Sequence, residues 1–203
     1  MRIGILNYDA CNLASVYYSI YRIGYNPIII SKNKELKKID RLIIPGVGAA
    51  KSCIEYLKKN ELFNGINEFL ELNKPVLGIC LGLQIFSKIL YEQGKSQGFG
   101  LINAHVVPFK NPQINIGWSK IIIDKNKFFE EFSNKSFYFC HSYYLNFLKS
   151  DDEKYCKGFI KNNKFIPSII IKKNFLGVQF HPEKSQINGS KFLQKFLQWE
   201  PNN

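Results

Sequence analysis

In the first half of the chain, short apolar runs alternate with longer stretches of helical spacing. Ile3–Leu6, Pro27–Ile30, Leu42–Ile44 and Pro75–Ile79 are compact and rich in Ile, Leu and Val, which predicts strands buried on both faces. Between them, the stretch from Asn12 to Ile23 and the segments Ala49–Leu57 and Leu62–Leu72 repeat apolar residues every three or four positions. That spacing predicts amphipathic helices, the first with Asn12 at its N-cap. Strands alternating with helices predict an α/β fold: an open, mostly parallel central sheet with flanking helices.

The second half reads as an additional β-rich portion. Val106–Val107, Ile121–Ile123, Phe137–Cys140, Tyr155–Ile160, Ile166–Ile171 and Phe175–Phe180 are short apolar runs separated by turn residues. Asn162-Asn163 between two of them predicts a hairpin. Two helical patterns interrupt this series. Leu83 to Gln93 predicts a helix after the strand at Pro75–Ile79. Ser190–Trp199 predicts a last helix whose Phe192, Phe196 and Trp199 form a core-facing stripe. No repeat or linker divides the sequence, so residues 1–203 read as a single domain.

Composition narrows the setting. With 203 residues and 45% hydrophobic content, the chain can bury a full core. No apolar run is long enough to span a membrane, and the opening Met1–Leu6 is a strand pattern rather than a signal peptide. The net charge of +12 comes from scattered Lys, with only Arg2, Arg22 and Arg41 as arginines. Phosphate recognition leans on Arg forks, so a nucleic-acid partner is not expected. The five cysteines are scattered and form no C-x-x-C pair, which argues against a metal site or a disulfide framework and for a reducing cytoplasm.

The chemistry concentrates in two segments. Gly78-Ile79-Cys80-Leu81-Gly82 follows an apolar strand and has the form of a nucleophile elbow with Cys in place of Ser. The small neighbours suit a strained turn, and a thiol at a helix start ionises more readily. About 100 residues on, His181-Pro182-Glu183 ends another apolar run. It offers His181 as base and Glu183 as the acid that orients it, completing a Cys-His-Glu triad for acyl transfer. His141 also ends a strand and is the rival base, but has no acid beside it. His105 has no supporting context. Pro45-Gly46-Val47-Gly48 is a turn whose Val47 N–H, together with the N–H of Leu81, suits an oxyanion hole; the flanking glycines would leave that backbone free to turn.

Gly78-Ile-Cys-Leu-Gly-Leu-Gln84 and Gly177-Val-Gln-Phe-His-Pro-Glu-Lys-Ser185 resemble the paired signatures of the class I (triad) glutamine amidotransferases. Pro45–Gly48, Tyr138–Tyr143, Asn12-Leu13 and Ile116-Gly117-Trp118 narrow the resemblance to the glutaminase subunits of imidazole glycerol phosphate synthases. The resemblance implies the class I amidotransferase fold and hydrolysis of L-glutamine to glutamate and ammonia by Cys80, His181 and Glu183. It implies Gly48, Gln84, Ser142 and Tyr143 as substrate-binding residues and requires no cofactor. It implies a heterodimer with a (β/α)8-barrel cyclase, which uses the ammonia to make imidazole glycerol phosphate and aminoimidazole carboxamide ribotide in histidine biosynthesis. Related subunits supply ammonia for amidation of a surface-polysaccharide sugar instead, and an inactive binding scaffold is the remaining alternative. The sequence departs from the family pattern at Asp9-Ala10-Cys11, where glycines are usual, and in a lengthened stretch from Pro112 to Trp118.

Overall fold

The computed structural model describes residues 1–8, 12–109, 114–124, 126–147, 151–162 and 164–201. The altered loop at Asp9–Cys11 and the start of the lengthened stretch, Pro112 and Gln113, lie outside these residues, as does Asn163 of the expected hairpin.

The first half follows the sequence pattern. Strands β1 (Ile3–Leu6), β2 (Ile28–Ile30), β3 (Arg41–Ile44) and β4 (Val76–Ile79) are separated by helices α1 (Leu13–Arg22), α2 (Asn33–Leu36), α3 (Ala50–Lys59) and α4 (Leu62–Glu71). The sequence predicts a helix over Leu83–Gln93, but the chain forms only one turn, α5 (Leu81–Gln84), and then strand β5 (Ser87–Leu90). The reason is packing. Every residue from Leu81 to Ser87 is buried, which no single face of a helix can achieve. Phe86 stacks on Phe99 at 4.6 Å between ring centroids.

The second half is β-rich, as expected, and holds more strands than its apolar runs announce. Strands β6 (Ser96–Gln97), β7 (Ile102–Pro108), β8 (Asn115–Lys120) and β9 (Ile122–Ile123) come first. Strands β10 (Ser136–His141), β11 (Tyr143–Asn146), β12 (Cys156–Asn162), β13 (Lys164–Lys172) and β14 (Phe175–Val178) follow, then helix α6 (Gln186–Gln198). The main sheet has the order β2-β1-β3-β4-β14-β13-β12-β9. Its pairings are parallel from β2 to β14 and antiparallel beyond. β11-β7-β5-β6 form a second sheet, and β8 and β10 an antiparallel ribbon.

Alternation along the central strands splits the core into two layers. In β4, Val76 joins the layer with α3 and α4, while Leu77 and Ile79 join the layer with α1 and α6. Phe192 and Phe196 are fully buried in the second layer, so the aromatic stripe of the last helix is core. Burial on both faces fixes the register of each strand, because a slip of one residue would exchange its layers. That register matters for the site: β14 pairs with β4 so that Val178 lies opposite Ile79, and the residues just past both strand ends become neighbours.

Candidate active site

Cys80 sits one residue past the end of β4, with φ 50° and ψ −104°. This is left-handed backbone for a residue with a side chain, a strain retained where geometry serves a site. Its N–H donates to the Val178 carbonyl at 2.7 Å, which ties the elbow to β14. The glycines around it are required by close approach. A Cβ on Gly78 would strike the Gly82 backbone, one on Gly82 would strike the Ile44 carbonyl, and one on Gly46 would strike the backbones of Ile79 and Leu81. Gly46 therefore serves contact with the elbow rather than freedom to turn. In the Pro45–Gly48 turn, Gly48 carries the positive φ, 103°.

The second strand end delivers the histidine. His181 follows β14 by three residues, and its N–H donates to the Tyr138 carbonyl of β10 at 2.8 Å. Ser185 locks this turn: its hydroxyl donates to the His181 carbonyl at 2.7 Å and accepts from the Tyr138 N–H at 2.9 Å. His181 Nδ1 lies 2.8 Å from Glu183 Oε1, and both side chains are almost wholly buried. Asn12 occupies the N-cap position of α1, as its residue type suggests, yet makes no capping bond. Its amide donates instead to Glu183 Oε1 at 3.2 Å. Burial opposes a charge on His181, but its electrostatic and hydrogen-bond interactions with Cys80 and with Glu183 together outweigh it and hold the imidazole's pKa up, at about 10.

These groups meet in one cleft of about 290 Å³. Cys80 and His181 line it together with Val47, Gly48, Leu81, Gln84, Ser142 and Tyr143, so all the sequence-derived candidates but one share a surface. Glu183 stands behind His181. His141 lines the same cleft, but both its ring nitrogens are engaged. Its Nδ1 bonds the Tyr143 carbonyl at 2.8 Å, which fixes the proton there, and its Nε2 faces the Asn115 amide at 2.9 Å as an acceptor. Burial, relieved in part by the Tyr143 bond and reinforced by the positive His181, drives its pKa down to about 4. It is a neutral, fully engaged imidazole. His105 packs near the Tyr91 ring and is not part of the cleft lining.

Three residues escaped the sequence reading. Gln179 is fully buried, and its amide donates to Cys80 Sγ at 3.4 Å. A polar residue inside the apolar run Leu176–Phe180 was the available signal. Glu92 reaches from beyond β5 to line the cleft, one carboxylate oxygen accepting from the Ala50 N–H at 2.8 Å and so capping α3. Asn115, on β8, reaches His141 only because of the ribbon register, which no local pattern reveals. A larger cavity of about 630 Å³ beside β12 and β13 contains none of these groups. Among the described residues, no group of three His, Cys, Asp or Glu side chains is placed to hold a metal ion, and no helix is long and apolar enough to cross a membrane.

A strained cysteine and a carboxylate-held histidine at adjacent ends of parallel strands define a thiol acyl-transfer enzyme of α/β architecture. The particular family follows from comparison: the chain belongs to the family Glutamine amidotransferase class-I, which it matches over residues 5–199. It is 35% identical to the imidazole glycerol phosphate synthase subunit HisH of Sulfurimonas denitrificans, over 97% of this chain and 98% of that one. It is 38% identical to the subunit of the same name from Caldanaerobacter subterraneus, over 96% of each chain. Among solved structures, PurLQS from Thermotoga maritima aligns with a TM-score of 0.76 at 16% identity, over 97% of each chain, a likeness of fold.

Proposed function

We propose that this protein is the glutaminase subunit of an imidazole glycerol phosphate synthase, hydrolysing L-glutamine through Cys80, His181 and Glu183. The observation that carries the reading is buried Cys80 and His181 at the wall of an amino-acid-sized cleft, with Glu183 behind the histidine.

The geometry suits a two-stage reaction. The Cys80 sulfur attacks the side-chain amide carbon of glutamine, and the carbonyl oxygen takes up the charge. The N–H groups of Leu81 and Val47 are the donors for that oxyanion. His181, charged at rest, gives its proton to the amide nitrogen; the C–N bond breaks, ammonia leaves and a γ-glutamyl thioester remains. Acylation removes the negative sulfur that helped raise the His181 pKa. Burial then favours the neutral imidazole, which takes a proton from water as that water attacks the thioester. The C–S bond breaks, glutamate departs and the resting pair returns.

On the cleft wall, Glu92 is the carboxylate suited to the α-ammonium of an amino acid, with Gly48, Gln84, Ser142 and Tyr143 as the other substrate contacts. Ammonia passes to a (β/α)8-barrel cyclase subunit, where it joins a phosphorylated ribulosyl nucleotide; its nitrogen enters imidazole glycerol phosphate, and aminoimidazole carboxamide ribotide is released, during histidine biosynthesis. The surface for that partner begins at the cleft mouth. Ile114 lines the cleft and continues through Ile116 and Trp118 as an exposed apolar stripe, about half or more of each residue open to solvent. The protein works in the cytoplasm, where Cys80, Cys140 and Cys156 stay reduced.

The test is reconstitution with the cyclase. Glutamine-dependent synthesis should be lost in Cys80→Ser while ammonia-dependent synthesis persists. Glutamine turnover that survives this substitution rejects the assignment. A complex that hydrolyses glutamine yet passes no ammonia to the cyclase points to another acceptor, such as a sugar-amidating partner.

A further inference from the structure

We infer that Gln179 is a further catalytic residue, aiming an N–H at the nucleophilic sulfur, and that Gln84 is the positioning residue that decides which end of its carboxamide does so. The inference rests on Cys80 being the nucleophile.

A carboxamide has a donor end and an acceptor end of nearly the same shape, so its neighbours must settle its direction. Here the chain of decisions starts at a main-chain atom. The Tyr143 carbonyl can only accept, and it receives both His141 Nδ1 at 2.8 Å and Gln84 Nε2 at 2.9 Å. The amino end of Gln84 therefore points at Tyr143; reversed, it would set two acceptors against each other. The same amino group donates its second hydrogen to Gln179 Oε1 at 3.1 Å. With its oxygen engaged, Gln179 can present only its amino end to Cys80 Sγ, 3.4 Å away. A carbonyl of β11 thus sets the polarity of a donor at the sulfur through two buried side chains.

The consequences are chemical. Gln179 is fully buried and Gln84 nearly so, so the donor is preorganised in a medium that strengthens it and needs no reorientation during reaction. It favours the negative sulfur before attack. It favours it again in the second stage, when the C–S bond breaks and the electron pair returns to sulfur. Both hydrogens of the Gln84 amide are spent inside the protein, which leaves its oxygen to meet a donor on the substrate.

The test follows alkylation of Cys80 by iodoacetamide across pH in the full chain, mapped by peptide mass spectrometry. Cys140, which is exposed, serves as the reference thiol in the same sample. Gln179→Met keeps length and removes the donor. Near neutral pH it should slow Cys80 alkylation about tenfold, the scale of one hydrogen bond to a charged group, and converge with the unaltered protein at alkaline pH. Gln179→Glu keeps the shape, supplies an acceptor, and should be slower still. Gln84→Met, which leaves the Gln179 donor in place but frees its direction, should reproduce the loss, and the double Met variant should be no worse than Gln179→Met alone. A packing role would change the melting temperature without moving the pH profile. Unchanged profiles in Gln179→Met and Gln179→Glu, or additive losses in the double variant, overturn the inference while leaving the Cys80→Ser result, and the triad, untouched.

Discussion

His181 and His141 share one cleft, end neighbouring stretches of strand and are both nearly excluded from solvent, at 1% and 6% exposed. Their pKa values nonetheless move in opposite directions, to about 10 and about 4. Burial pushes both down; the partners decide the outcome. His181 faces the Cys80 sulfur and the Glu183 carboxylate, whereas His141 faces a neutral carbonyl, a neutral amide and the positive His181 itself. One cleft thus holds a charged and a neutral imidazole side by side, the pattern that the proposed roles of proton carrier and scaffold require.

The hardest blow to this contrast is removal of its active member. His181→Ala should lower glutamine turnover by about 10²–10⁴-fold, the range for a lost acid–base group, with ammonia-dependent synthesis by the complex retained. If turnover is unchanged, the base lies elsewhere and His141 is the first suspect. Glu183→Gln should cost less than His181→Ala, because an orienting carboxylate acts through the histidine. Without that carboxylate the His181 pKa falls, so the alkaline limb of the rate profile should move to lower pH; an unmoved limb would separate Glu183 from the triad.

Smaller effects sharpen the comparison. Glu92→Gln should raise the KM for glutamine about tenfold with little change in kcat, since it removes a charged contact common to ground and transition states. An unchanged KM would free Glu92 of substrate binding and leave only its cap on α3. The smallest effect on turnover belongs to His141→Gln, which keeps a donor for the Tyr143 carbonyl and should reduce kcat less than tenfold, on the order of one neutral hydrogen bond. Its signature is in stability. The depressed pKa of His141 means that its contribution is intact above about 6.5, the ordinary value, and is lost as pH falls through about 4. His141→Gln should therefore flatten the loss of stability across that acid window, measured by denaturant midpoints. His181 has the opposite sign: its contribution is full below about 6.5 and is lost as pH rises through about 10.

The gathering of Cys80, His181 and Glu183 was legible because each sits in a local pattern: small residues around Cys80, and an apolar run broken by Pro182 beside His181 and Glu183. The alternating strands and helices before Ile79 were equally plain. What stayed hidden depends on register. Leu83–Gln93 reads as a helix, and only burial on several sides turns its middle into β5. Asn12 is a capping residue by type and position, and only the approach of Glu183 shows where its amide goes. Gln179 reads as one polar residue in a strand until the pairing of Val178 with Ile79 brings it beside Cys80.

The β8–β10 ribbon has one more consequence. β8 pairs only with β10 in its two-stranded sheet, so among the described residues its outer edge is open, and Ile116 and Trp118 stand exposed along it. An open edge carrying apolar side chains is a template for other chains, including copies of itself. A cyclase seated on this edge, as proposed above, would shield the protein from its own kind, and matched synthesis of the two subunits would then be a matter of solubility as well as of catalysis.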